Sequence, residues 1–285
     1  MYREVFWKSF RNLKFSMFIP DIYLMVIELI LAFFFFKLTG ISTLFENPDF
    51  IAATLEEKIP LLHVFVSGNW ADLLAYFAIF VFTTFVLGAS LNCMRFGMIR
   101  DRVEGRKYYF KQVLSYGTKF WSVVVVRMII FLLGVAALLF VSGSYLMLNT
   151  FYPEAPSLFI VTALSIGIVF FLKLLFLFTY AIMFLDKKGP FSAVKDSFVY
   201  FFRNKDYVIR VFIIVILFSV FLFPFEYVFM YYKNSFGLVS LYAISFLVVR
   251  NLASSFYRVW SEVLLFYSYS AKGLSPSGLS QQQSP

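Results

Sequence analysis

Six apolar runs, at about residues 21–38, 71–95, 120–147, 158–184, 207–230 and 237–266, partition this chain. Each is close to the roughly twenty apolar residues that a helix needs to cross a bilayer. Shorter stretches between them carry helical periodicity instead of continuous apolarity. In the clearest, Phe191, Val194, Phe198, Phe201 and Phe202 recur at helical spacing while Lys195, Asp196 and Arg203 fall on the other side. Pro190 follows Gly189 there, and proline's fixed φ and missing N–H suit a first helical turn. A helix divided in this way lies in the headgroup plane, rings down and charges up, before the chain turns into the bilayer at about Tyr207.

This unit of basic amphipathic helix and span recurs. Gly105, Gly189 and Gly273 are 84 residues apart, and the same shift lays Lys111 on Lys195, Tyr116 on Tyr200, Lys119 on Arg203 and Val124 on Val208. Toward the N-terminus, Phe6, Phe10, Leu13 and Met17 form an apolar stripe opposite Arg3, Lys8, Arg11 and Lys14, and Pro20-Asp21 opens the first span. Two registers fit this copy, Ser9-Phe10 on Ser197-Phe198 or Phe10-Arg11-Asn12 on Phe202-Arg203-Asn204. The predicted fold is therefore all-α and polytopic: six transmembrane helices in three repeats, each repeat led by a cytoplasmic interfacial helix. The units are about 1–104, 105–188 and 189–272 of one transmembrane domain, with a flexible tail, rich in Ser, Gln and Pro, at 273–285. An external insertion at 46–69 carries Glu46, Asp49, Glu56 and Glu57 and a helix opened by Pro48-Asp49. It reads as an acidic outer loop, with a lid or partner surface as the functional alternative.

Composition agrees with the pattern. The 285 residues are 61% hydrophobic and 22% aromatic with 14% charged, and mean hydropathy is +0.82, outside the range of soluble domains. The first run contains Glu28 and is followed by Lys37-Leu38-Thr39-Gly40, which is no signal-peptidase site. The net charge of +9 lies between apolar segments and not on a polar surface, so it argues for topology and anionic lipid, not for nucleic acid. Lys8, Arg11, Lys14, Lys111, Lys119, Lys195 and Arg203 form an expected basic collar on one side, joined by Arg95, Arg100, Arg102, Lys187 and Lys188. The other side has Lys58 and Lys233, with Lys37 at its edge. This asymmetry puts both termini in the cytoplasm.

The segment Gly189-Pro190-Phe191-Ser192-Ala193-Val194-Lys195-Asp196-Ser197-Phe198 resembles the repeating signature of a group of uncharacterised six-span prokaryotic membrane proteins. That group is similar to the membrane domain fused to some glycerophosphodiester phosphodiesterases. The resemblance implies a non-catalytic, multi-pass domain in the plasma membrane of a prokaryote; the hydrolase of the fused proteins is a separate soluble domain, so phosphodiesterase activity is not expected of these residues.

Ionisable and polar residues inside spans are the candidate functional residues, because each must find water, a partner or the interface. Arg250, Ser254, Arg258 and Glu262 are four apart in the last run and form a stripe expected to face the bundle interior. Glu28, Asn92, Arg127 and Lys173 complete a candidate polar cavity. One reading pairs Glu28 with Lys173 or Arg250, and Glu262 with Arg258, as inter-helix ties. Another makes a cationic cavity for a phosphate headgroup or other anion, and a third a proton relay through Glu28. Cys93 reads as packing. His63 is the only histidine and reads as a loop residue, so metal clusters and His-based triads lack material. Neither cofactor nor catalysis is expected. The functional expectation is lipid or amphiphile handling at the inner leaflet, against a secondary transporter or channel, or an assembly subunit with a membrane-protein partner.

Overall fold

The computed structural model describes residues 2–38, 40, 55–106, 110–151, 157–236 and 241–272. It divides into two compact units, residues 19–91 and residues 1–18 together with those from 92 onward. Among the described residues all regular structure is helical. The helices are α1 (Tyr2–Arg11), α2 (Ile19–Leu38), α3 (Leu55–Val103), α4 (Phe120–Phe151), α5 (Ser157–Leu175), α6 (Thr179–Leu185), α7 (Pro190–Arg203), α8 (Lys205–Ser219), α9 (Phe223–Phe236) and α10 (Leu241–Ala271).

Five segments are long and apolar enough to cross a membrane: Phe15–Phe35, His63–Val103, Ser115–Ser144, Val161–Leu185 and Lys205–Tyr231. The sixth expected span coincides with α10, which does not join them because Arg250, Arg258 and Glu262 interrupt its apolar run.

In the unit of residues 19–91, α2 opens at Pro20-Asp21 as the sequence predicts. The helix α3 is broken at Asn69 (φ −123°, ψ 17°), whose side-chain amide donates to the Phe65 carbonyl at 3.0 Å. The break falls where the insertion gives way to the apolar run. His63 lies inside α3 and is exposed, in helix and not in the expected loop. Residues 46–54 and the tail 273–285 lie outside the described residues.

In the other unit, burial changes sharply along the helices. α4 is buried at Val123 and Val126 but exposes Phe131, Leu132, Leu138, Leu139 and Phe140. α5 exposes Val169, Phe170 and Phe171, then is buried at Leu175 and continues through three turn residues into the almost wholly buried α6. α10 exposes Val249, Leu252 and Phe256 and is buried from Val259 to Tyr269 at Val259, Trp260, Val263, Leu264, Phe266, Ser268 and Tyr269. Closely packed side chains thus gather at one end of these helices, with the end of α3, α1, α7 and the start of α8. We call this end the base.

The N-terminal stripe is part of that base. Val5 is buried with Val215, Trp260 and Leu264, with Phe6, Phe10 and Leu13 packed around them. Phe10 meets Trp260 and Phe218 at 5.3 and 5.8 Å, and Tyr2 stacks on Tyr207 at 5.5 Å. The rings expected to face lipid therefore pack on protein. α7 is divided differently from its expected pattern too. Ala193, Ser197, Tyr200 and Phe201 are buried, and the small Ser197 lets its Oγ donate to the Leu175 carbonyl at 2.8 Å. Phe191, Phe198 and Phe202 form an exposed row on the far side.

Before α4 the chain forms a 3₁₀ turn, Phe110–Lys119, where an amphipathic α-helix is expected. The aligned glycines also differ. Gly105 ends α3 with φ +73°, a conformation that favours glycine, whereas Gly189 is the extended N-cap of α7 (φ −71°) and the matching left-handed residue is Lys187 (φ 55°).

A polar cluster in the base as candidate functional site

Asn92 and Arg95 are one turn apart on α3, so both face the same neighbours. The Arg95 side chain is 0% exposed. Its Nη2 donates to Asn92 Oδ1 and to Glu262 Oε1 of α10, each at 2.8 Å. Nε lies 2.5 Å from Glu262 Oε2, an ion contact off the N–H axis and not an aligned hydrogen bond. From α4, Arg127 hydrogen-bonds the Tyr180 hydroxyl of α6 and feels both Arg95 and Glu262 electrostatically. The Tyr180 ring stacks on Phe96 at 4.6 Å, and Phe96 in turn on Phe266 at 5.9 Å. Four helices thus converge on one charged group of residues held between rings. Such a carboxylate–guanidinium pair is directional and costly to break once desolvated.

The structure brings together three of the eight expected cavity residues, Asn92, Arg127 and Glu262, around an arginine that the sequence reading had assigned to the basic loop. Glu262 pairs with Arg95, a partner the sequence does not suggest, and Arg258 is exposed. Arg250 pairs with Glu226 of α9 at 2.8 Å and lies over the Phe229 ring at 5.2 Å. Lys173 is exposed, Ser254 is half-buried, and Glu28 is half-buried in the other unit. The stripe on α10 is therefore not a single inward face.

Collar residues divide similarly. Lys8 pairs with Glu4 at 3.3 Å, and Arg11, Lys14, Lys195 and Arg203 are exposed. Lys119 donates to the carbonyls of Met183 (3.3 Å) and Lys188 (3.1 Å), so it braces the end of α6. Lys111 sits in the 3₁₀ turn.

Two further polar groups brace the base. Asp101 accepts from Arg100 Nε at 2.9 Å and from the Tyr116 hydroxyl, while Cys93 Sγ donates to the Tyr116 carbonyl at 2.8 Å. Gly97 makes room for Tyr116: a Cβ there would lie 2.3 Å from its Cγ. Near the end of α10, Tyr269 donates to Asp186 Oδ2 at 2.7 Å and its ring lies 5.2 Å from that of Tyr200. Burial first, then the Asp186 contact, pushes the Tyr269 hydroxyl up, and burial does the same for Tyr200.

On the outer face of α7, Phe191, Phe198 and Phe202 flank the exposed Lys195. Beside it a groove of about 280 Å³ is lined by Lys188, Gly189, Ser192, Lys195 and Asp196, with Lys188 and Asp196 paired. On α1, Trp7 is exposed between Arg3 and Arg11 at helical spacing. Sequence reasoning missed Arg95, Tyr180 and Asp101; the one available signal was the Asn92-x-x-Arg95 spacing inside an apolar run. No protein-family model matches the chain, no curated protein matches it, and no solved structure matches it.

Proposed function

We propose that this chain is a non-catalytic integral membrane protein that binds, or helps to handle, anionic lipid at the inner leaflet. The observation that carries the reading is α7. Its buried face, with Ser197 on the Leu175 carbonyl, fixes the helix, and its other face offers Phe191, Phe198 and Phe202 around Lys195. Rings of this kind enter the acyl boundary while the adjacent ammonium meets phosphate, and each basic residue near an anionic surface adds about 1 kcal/mol of attraction.

The same proposal includes six spans in three repeats with both termini cytoplasmic, and the family resemblance of Gly189 to Phe198. Two equivalent contacts support repeats. Asn12, just after α1, caps the Lys8 carbonyl at 2.8 Å and accepts from Arg102 at 2.9 Å. Asn204, just after α7, caps the Tyr200 carbonyl at 3.2 Å and accepts from Lys272 at 2.7 Å. This parallel favours the register that lays Phe10-Arg11-Asn12 on Phe202-Arg203-Asn204. The stacked pair Phe96 and Tyr180 is also 84 residues apart. For α10 as sixth span, the Arg250–Glu226 pair lowers the cost of Arg250 in lipid.

Native mass spectrometry of the protein released from bilayers of mixed lipid tests the function. The wild type is expected to retain anionic over zwitterionic lipid, and Lys195→Gln with Phe198→Ser to lose the preference. A wild type that retains both classes equally overturns the proposal.

A further inference from the structure

Three cations stand where burial changes. On α4, Arg127 follows buried Val126; on α5, Lys173 is two residues before buried Leu175; on α10, Arg258 immediately precedes buried Val259. Their levels are linked through the polar cluster. Arg127 reaches Tyr180, seven residues beyond Lys173, and feels the charge of Glu262, four residues beyond Arg258. All three therefore sit within a turn or two of one plane.

Away from the base, each helix continues from that plane for most of a bilayer's depth or more. Ser157 to Lys173 is roughly 24 Å at the helical rise, Leu241 to Arg258 roughly 26 Å, and Arg127 to Phe151 roughly 36 Å, against a hydrocarbon core of about 30 Å. These stretches are the ones with exposed Leu, Val and Phe side chains. Below the plane lie the buried residues Val123 and Leu175 and those from Val259 to Tyr269, together with Glu262 of α10, Arg95 and Asp101 of α3, and Asp186 just after α6.

From this we infer that the plane of Arg127, Lys173 and Arg258 is the inner boundary of the hydrocarbon, and that exposed Lys173 and Arg258 bind the phosphates of phospholipids there. The polar cluster of Arg95, Glu262 and Asp101 stands out of the bilayer on the cytoplasmic side, while the outer face of α7 meets the boundary. Arg127, half-buried where Lys173 and Arg258 are exposed, marks the level without taking a lipid. This rests on the lipid reading above and adds to it a depth and two phosphate ligands distinct from Lys195. It also removes the difficulty of charges in mid-membrane: the ion pair Arg95–Glu262 is desolvated by protein, not by lipid.

The depth is tested with nitroxide labels at single cysteines in a Cys93→Ala background, in bilayers. A label at Val169, one turn outward of Lys173, is expected to collide mainly with dissolved oxygen, one at Lys187 mainly with an aqueous nickel chelate, and labels at Lys173 and Arg258 to lie between. Water-like collision at Val169, or oil-like collision at Lys187, overturns the boundary whatever α7 does. The phosphate ligands are tested by lipid retention. Lys173→Gln with Arg258→Gln is expected to weaken anionic phospholipid binding at least about five-fold, with zwitterionic binding that changes less. Unchanged retention in that variant, with loss in Lys195→Gln, overturns the two ligands and leaves the α7 reading standing; no preference even in the wild type overturns both.

Discussion

The polar cluster makes its strongest prediction about the pair Arg95–Glu262. Replacing Glu262 by Ala leaves a guanidinium with 0% side-chain exposure beside Asn92, with its carboxylate gone. Breaking one partner of such a pair costs about 3–5 kcal/mol, because the remaining charge stays desolvated. That is a fall of roughly two to four powers of ten in the ratio of folded to unfolded protein. Removing both charges is different. Arg95→Met with Glu262→Met exchanges the pair for apolar volume between Phe96 and Phe266, and is expected to lie within about 1 kcal/mol of wild type or above it. The double variant should thus be more stable than the single, by about 2 kcal/mol or more. The assay is equilibrium unfolding in detergent, followed by the fluorescence of buried Trp260 in a background with Trp7, Trp70 and Trp121 replaced by Phe. A cost under about 1 kcal/mol for Glu262→Ala, or a double variant worse than the sum of the singles, refutes the reasoning.

Two further outcomes follow from the base. Gly97→Ala is expected to cost about 1–3 kcal/mol, because its Cβ meets the root of the Tyr116 side chain and displaces it from Asp101. In α4, Gly134→Ala meets nothing within 4 Å and should stabilise by about 0.5–1 kcal/mol; equal effects of the two in the same unfolding assay would sink this account. For pH, the folded base holds Tyr200 and Tyr269 neutral, with hydroxyls raised above their ordinary value of 10.0. Their contribution is therefore complete below pH 10 and is lost as pH rises beyond it. The unfolding midpoint should fall above about pH 10, and less steeply in Tyr269→Phe; a midpoint that rises there contradicts the sign.

The layout of apolar segments was legible because a span is a one-dimensional object: twenty apolar residues announce themselves without neighbours. The helix starts at Pro20 and Pro190 were legible for the same local reason. Arg95 was not. An arginine at the end of an apolar run looks like a topology signal, and the carboxylate that makes it a core residue is 167 positions away. The stripe on α10 misled through its own spacing. Residues four apart advance 400° and so drift about 40° per step, which turns Glu262 some 120° from Arg250 and lets them face different partners. On α7 the period located the rings but not the buried arc. That arc is set by Ala193 and Ser197, which are small enough to approach the Leu175 carbonyl, and contact of that kind is decided by the partner helix.

The seat of α1 has a consequence in time. Its rings rest on Tyr207, Phe218 and Trp260, so α1 cannot dock until the chain has been made as far as α10. At translation rates of about 5–20 residues per second, more than 200 residues of delay is roughly 10–50 s. Throughout that interval Phe6, Phe10 and Leu13 need another shelter, and the membrane surface beside the ribosome is the nearest apolar one. On the lipid reading the amphipathic pattern written into residues 2–17 would serve twice, first as a raft on lipid while the chain is unfinished and afterwards as a wedge that closes the completed protein.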